Sequence, residues 1–265
     1  MQLLSTRGLT VRFGGVCALD GVDLDVGAGR LVGLIGPNGA GKTTLIDAVT
    51  GFVDAAGTIG FDGHELSNVP PHRRADAGLV RTWQSLELFD DLTVRENLEV
   101  AARRPSWRNV LADLVNPTRH RGDDGVADAI EVLGIEHLAA RLPDEISQGQ
   151  RKVVSAARAL AGRPKLVCMD EPAAGLDTDE SKLLGVDLRR IVDAGVSILL
   201  VDHDMGLVLD VCDEIYVLEF GRIIAHGTPA EIQRDAGVID AYLGSSHDAS
   251  HDATHDADEP AGSDS

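Results

Sequence analysis

Gly36-Pro-Asn-Gly-Ala-Gly-Lys-Thr-Thr44 decides how the chain is read. It fits G-x-x-x-x-G-K-[ST], with Gly36, Gly41, Lys42 and Thr43 at the four specified places. The apolar run Leu31–Ile35 precedes it, short enough for a buried strand, and Thr44–Thr50 follows as a helix closed by Gly51. Strand, loop and helix are the context this motif needs. Its glycines let the backbone wrap a polyphosphate, so that successive N–H groups of Gly36, Pro37-flanked Asn38, Gly39, Ala40, Gly41 and Thr44 face an anion at the positive end of a helix. Lys42 is expected to reach the β- and γ-phosphates of a nucleotide, and the Thr43 hydroxyl to bind Mg²⁺.

Outward from the loop, three β-prone runs lie at Leu9–Phe13, Val22–Val26 and Leu31–Ile35, separated by Gly14-Gly15 and Gly27-Ala-Gly29 turns. Residues 57–63 suggest a further strand and turn, and Pro70-Pro71 a break. An apolar run then leads through Gly78-Leu-Val-Arg-Thr-Trp to Gln84. From about residue 85 the pattern becomes helical, over Val94–Arg103, Asp123–Leu133 and Gln150–Ala161. Buried-strand patterns return at Leu166–Asp170 and Val196–Val201 with a helix, Asp179–Ala194, between them, which predicts parallel strands joined by a crossover. Ile215–Leu218 and Ile223–Ala225 complete the sheet region, and 229–243 supplies short helices. The last 21 residues repeat His247-Asp, His251-Asp and His255-Asp among Ser, Asp, Glu and Pro. They hold too little apolar surface to offset chain ordering, so an acidic disordered tail is expected over 245–265.

The chain of 265 residues is 43% hydrophobic and carries a net charge of -19. The charge argues against a nucleic-acid partner, because phosphate backbones recruit lysine and arginine. Cys17, Cys168 and Cys212 are odd in number and lack metal-ligand spacing, which fits a reducing compartment. No window approaches the ~18 apolar residues of a membrane span, so work at a membrane requires another chain to carry the protein there.

A phosphate loop needs a carboxylate partner, and the strand ending in Asp170-Glu171 offers one: Asp170 for the Mg²⁺ shell and Glu171 to polarise an attacking water. Ile146-Ser-Gln-Gly-Gln150 stands before an amphipathic helix, where Ser147 and Gly149 can grip an anion or simply cap the helix. His203 follows a strand and can contact a phosphate or cap a turn. Gln84 can ligate Mg²⁺ or water or start a loop, and Phe13 can stack on a nucleobase or end a strand.

Taken in order, Gly36–Thr44, Gln84, Ile146–Gln150, Leu166–Glu171, Ala174-Gly-Leu-Asp177 and His203 resemble the ATP-binding-cassette (ABC) ATPases, over nearly all of residues 3–244. The resemblance implies an α/β fold with a P-loop NTPase core, an inserted helical subdomain and an antiparallel β subdomain: core 1–84 and 164–228, helical subdomain about 85–163, C-terminal helices 229–244. It implies ATP and Mg²⁺ as ligands, with Phe13 on adenine, Gln84 linking the metal site to the transporter contact and Glu171 catalytic. Ser147, Gly149 and Gln150 then match the signature that meets the γ-phosphate held by a second subunit, Asp177 the dimer-interface aspartate, and His203 the γ-phosphate switch. The family signature is usually Leu-Ser-Gly-Gly-Gln; here Ile146 and Gln148 replace its first and third residues.

Phe13-Gly-Gly-Val-Cys-Ala-Leu, Val80-Arg-Thr-Trp-Gln-Ser-Leu-Glu-Leu-Phe89, Glu171-Pro-Ala-Ala-Gly-Leu and Gly227-Thr-Pro-Ala-Glu-Ile resemble more narrowly the ATPases of branched-chain amino acid importers, a subgroup that includes urea and short-amide importers. The implied partners are two integral membrane permeases, a second ABC ATPase subunit and, through the permeases, a periplasmic or extracellular solute-binding protein, with the ATPase on the cytoplasmic face of the membrane. An exporter of envelope lipid or polysaccharide and a soluble, non-transport ABC ATPase are the alternatives.

Overall fold

The computed structural model describes residues 1–82, 88–102 and 123–238. Two sheets organise them. Strands β1 (Gln2–Phe13), β2 (Val16–Gly27), β4 (Ala56–Phe61) and β5 (His64–Glu65) form an antiparallel sheet in the order β2-β1-β4-β5. Strands β3 (Leu31–Ile35), β6 (Leu79–Thr82), β7 (Leu166–Asp170), β8 (Ser197–Val201), β9 (Glu214–Glu219) and β10 (Arg222–Gly227) form the second, in the order β10-β9-β3-β8-β7-β6. Its first pair is an antiparallel hairpin and the other pairings are parallel.

The parallel strands β3, β7 and β8 are buried along their whole length, which is why they read as continuous apolar runs and not as alternating ones. Their side chains nevertheless part by period two. Leu31, Ile35, Val167, Met169, Ile198 and Leu200 join one core, and Val32, Leu34, Leu166, Cys168, Leu199 and Val201 join the other. The second core is completed by α1 (Lys42–Thr50) and the antiparallel sheet, through Leu45, Ile46, Leu4, Leu24 and Phe61. The first is completed by helices α3 (Val94–Ala102), α4 (Asp123–Leu133), α5 (Gln148–Ala161), α6 (Thr178–Asp193) and α7 (Met205–Val211). Each fully buried Leu, Ile or Val in these layers contributes roughly 1.5–3 kcal/mol of transfer free energy, which fixes the strand ends that carry the polar residues below.

Several expectations need adjustment. Pro71 does not end an element; it opens a helix, α2 (Pro71–Asp76), because a proline at the first helical position gives up only an N–H that has no intrahelical partner. The first two strands run for 12 residues each, well past their apolar runs, since each alternates buried and exposed positions. The chain after β10 continues into α8 (Pro229–Ile232). Gln84, the 239–244 end of the C-terminal helices and the 245–265 tail lie outside the described residues. Among the described residues no helix is long and apolar enough to cross a membrane.

Candidate functional site

The loop from Gly36 to Gly41 links buried β3 to α1, and its shape follows from close packing. A Cβ on Gly36, whose φ is +154°, would stand 2.0 Å from the Leu218 carbonyl oxygen of β9, so only glycine lets the loop pass so near the sheet. Ala40 is buried and its carbonyl accepts from the Gly221 N–H at 2.9 Å, tying the loop to the β9–β10 hairpin. Lys42 is buried under the loop and donates from Nζ to the carbonyls of Gly36 at 2.7 Å and Pro37 at 3.0 Å. The ammonium therefore holds the loop closed around itself. Burial lowers its pKa, and the charges of Glu171 and Asp170 oppose that shift. Asn38, Gly39 and Thr43 are exposed at the mouth of the loop, with Pro37, Gly41 and Thr44 half-buried. The first N–H groups of α1 have no intrahelical acceptor, as at the start of any helix.

Asp170 closes β7 beside this loop. Its side chain is 1% exposed; Oδ2 accepts from an Arg81 Nη at 3.0 Å, while the buried Oδ1 accepts no hydrogen bond from the described residues. Burial pushes this carboxyl up from the ordinary carboxylate value, and the Arg81 charge and the Thr43 hydroxyl favour its ionised form. A buried carboxylate oxygen without a donor, next to a threonine hydroxyl, is a hard oxygen pair of the kind Mg²⁺ takes.

Glu171 is held in the left-handed region, with φ +49°, and its N–H donates to the Val201 carbonyl at 2.7 Å. For a side chain of this size that conformation costs about 1–3 kcal/mol, a strain that tends to be kept at working sites. It aims the carboxylate along the end of β8, where His203 stands with Nδ1 3.9 Å from Glu171 Oε2 and 3.6 Å from Asp202 Oδ1. His203 is 60% exposed and so presents its ring to solvent. Asp202 is buried and ties the two strand ends together, since its carboxylate accepts from the N–H groups of Ala173 at 2.9 Å and Asp204 at 3.0 Å. The ends of β3, β7 and β8 thus bring Lys42, Asp170, Glu171 and His203 to one edge of the parallel sheet.

The second group of expected residues gathers at the starts of α5 and α6. Ser147 caps α5: its Oγ accepts from the Gln150 N–H at 3.2 Å, and its own N–H donates to Gln150 Oε1 at 2.9 Å. Gly149 lies against Glu180, and the Gln148 amide nitrogen is 3.2 Å from where a Cβ on Gly175 would sit. Gln148 is therefore directed along the Ala174–Asp177 turn of the same chain. Asp177 caps α6 in the same manner, accepting from Asp179 and Glu180 N–H groups at 2.9 and 2.8 Å. Both caps remain exposed. Phe13 ends β1 with 52% of its surface exposed, opposite Val16.

Three residues at this edge escaped the sequence reading. Arg81 pairs with Asp170 and also with Asp47 of α1; a charged residue in the middle of an otherwise apolar strand run was the available signal. Asp202 and Lys152 carried no signal, because Asp202 finds its partners on the turn after β7 and Lys152 depends on how α5 meets the strand ends. Lys152 is buried, and burial lowers its pKa against the charges of Asp202 and Glu171.

Comparison with known proteins is consistent with this geometry. A family model described as ABC transporter matches residues 19–174, and one described as branched-chain amino acid ATP-binding cassette transporter matches 222–248. The chain is 40% identical to the high-affinity branched-chain amino acid transport ATP-binding protein BraF of Pseudomonas aeruginosa, over 92% of this chain and 98% of that protein. It is 38% identical to LivG of Escherichia coli K12, which bears the same description, and 36% identical to the lipopolysaccharide export system ATP-binding protein LptB of that organism, both over 92% and 98%. Among solved structures, a nucleotide-free ATP-binding cassette from an ABC transporter superposes with a TM-score of 0.80 at 32% identity, covering 91% of this chain and 99% of that one. An ABC transporter cassette in its ADP conformation gives 0.81 at 32%, covering 92% and 99%.

Proposed function

Because the chain belongs to the ABC transporter ATPase family, we propose that it hydrolyses ATP to power uptake of branched-chain or other hydrophobic amino acids through separate membrane permeases. The observation that carries the solute class is the match over 222–248. That stretch lies outside the nucleotide motifs, so it discriminates within the family where the loop and the strand ends cannot. The similarity to LptB makes export of an envelope lipid the second reading, and its identity is only slightly below that of the two importer ATPases.

In this reading two ATPase subunits enclose two nucleotides, each held by the Gly36–Thr44 loop of one subunit and the Ser147–Gln150 turn of the other. The core comprises 1–84 and 164–228, and about 85–163 forms the helical subdomain. Asp177 lies at the interface, and Phe13 stacks on the adenine. Lys42 and the N–H groups of the loop carry the charge of the β- and γ-phosphates. Thr43 and Asp170 would hold Mg²⁺, joined by Gln84, and the ion when bound neutralises phosphate charge. Glu171 orients the attacking water, and His203 contacts the γ-phosphate from the end of β8; their 3.9 Å separation supports a shared task. The partners are two permeases, a second ATPase subunit and a solute-binding protein, and the ATPase sits peripherally on the cytoplasmic face.

Replacing Glu171→Gln tests the mechanism. ATP binding stays intact and an ATP-bound dimer accumulates on size exclusion, while hydrolysis drops by at least about a hundredfold. Turnover near the unmodified rate removes Glu171 from its role. Uptake of labelled leucine by vesicles holding the assembled transporter tests the solute; vesicles that move lipopolysaccharide and no amino acid establish the exporter instead.

A further inference from the structure

We propose that Arg81 is a positioning residue for the cation shell: it grips one oxygen of Asp170 and anchors it to α1 through Asp47, leaving the second oxygen available beside Thr43. The inference rests on the reading of Thr43 and Asp170 as the residues that hold Mg²⁺.

The guanidinium is 7% exposed and lies between two carboxylates that the sequence sets far apart, Asp47 on α1 and Asp170 at the end of β7. One terminal nitrogen donates to Asp47 and the other to Asp170. A planar fork can bridge two acids in fixed directions, which a lysine ammonium cannot do. Asp47 follows Thr43 by four residues on α1, so the two lie on one stripe of the helix. Arg81 therefore locks the helix that carries Thr43 to the strand that carries Asp170 at the height where both would meet a cation. One guanidinium between two carboxylates also leaves the triad one negative charge in excess, which suits a divalent cation and disfavours a second anion. Among the described residues, no donor meets the Asp170 oxygen that Arg81 does not use in hydrogen-bond geometry, although the Thr43 hydroxyl lies near enough to favour the ionised carboxylate, so pairing with Arg81 has not exhausted the carboxylate.

A plain packing role predicts a different result from a positioning role, and metal affinity separates them. Mn²⁺ serves as probe, with binding to the nucleotide-saturated full-length protein followed by its electron paramagnetic resonance signal. Nucleotide binding in EDTA serves as the metal-free readout. Arg81→Gln is expected to weaken Mn²⁺ binding by about tenfold or more, the usual effect of removing a partner that orients a ligand, with nucleotide affinity in EDTA changed less than about threefold. Arg81→Lys recovers part of the loss. Asp47→Asn, which keeps the guanidinium and weakens its anchor, gives a smaller loss and covers the case in which Arg81→Gln does not fold. Mn²⁺ affinity within about threefold of the unmodified protein in Arg81→Gln, or in Asp47→Asn if the former is unfolded, overturns the proposal while Asp170→Asn abolishes binding. Unchanged Mn²⁺ affinity in Asp170→Asn overturns the underlying metal reading itself.

Discussion

Gly36→Ala is the sharpest perturbation of the phosphate loop, because the structure supplies both terms of its cost. The added Cβ would stand 2.0 Å from the Leu218 carbonyl oxygen and 3.3 Å from Ala40 Cβ, so the loop and β9 must part by about 1 Å. Overpacking of that kind costs about 1–3 kcal/mol, and the glycine-only backbone conformation at φ +154° about 1–3 kcal/mol more. The sum, roughly 2–6 kcal/mol, is a large part of the 5–15 kcal/mol by which a domain is stable. Gly39→Ala is the matched control: φ is +81° there, but nothing lies within 4 Å of the new Cβ, so only the conformational term of about 1–2 kcal/mol applies. Urea unfolding followed by circular dichroism measures the difference, and a fluorescent ATP analogue measures binding. Gly36→Ala is expected to unfold at markedly lower urea and, where folded, to bind nucleotide at least about tenfold more weakly, since a 1 Å displacement suffices for such a loss. Equal destabilisation by the two substitutions would refute the argument that Leu218 sets the loop's approach.

Two further outcomes follow from buried groups away from the loop. Arg74 is buried and donates to the carbonyls of Ala48 at 2.8 Å, Val49 at 2.7 Å and Val69 at 2.7 Å; Arg74→Leu removes this donor from Val49 and Val69, leaves Ala48 with the Gly51 N–H, and should cost about 2–4 kcal/mol by urea unfolding. A loss below 1 kcal/mol sinks this account. Burial pushes the Cys168 and Cys212 thiols up to about 12, above their value in an unfolded chain. Their contribution is therefore complete below about pH 9 and is lost as pH rises towards 12, by about 1.4 kcal/mol per pH unit for each thiol; the Cys168→Ala, Cys212→Ala protein should show a flatter alkaline limb, and an identical limb excludes the thiols as its cause.

Much of the site was legible because the backbone does the work there. The spacing of Gly36, Gly41, Lys42 and Thr43 encodes a tight loop between a strand and a helix, and the apolar runs before Gly36, Asp170 and His203 announce buried parallel strands whose ends must carry polar residues. Helix α7 was not anticipated, since seven residues are too few to display a helical period. Arg81 shows a different limit. Its partners lie 34 and 89 residues away, and nothing local to Val80-Arg-Thr82 indicates that a helix and a strand will supply acids to the same guanidinium.

Ser147 shows why a sequence can support two readings that are both physically sound. Its hydroxyl caps α5, as a serine before an amphipathic helix should, and the Gln150 side chain completes the box. A cap and an anion grip draw on the same resource, the N–H groups of a first helical turn. To meet a phosphate brought by a second subunit, the turn must exchange the Gln150 N–H to Ser147 Oγ bond, which is 3.2 Å long, for one to phosphate oxygen. A serine cap is worth about 1 kcal/mol, and a charge-assisted bond to phosphate about twice a neutral one, so the exchange runs towards the phosphate when it arrives and back to the cap when it leaves. In the dimer proposed above, the same side chain would keep α5 capped in the isolated subunit and free its N–H groups on closure, so that the cap would be a resting state of the proposed grip.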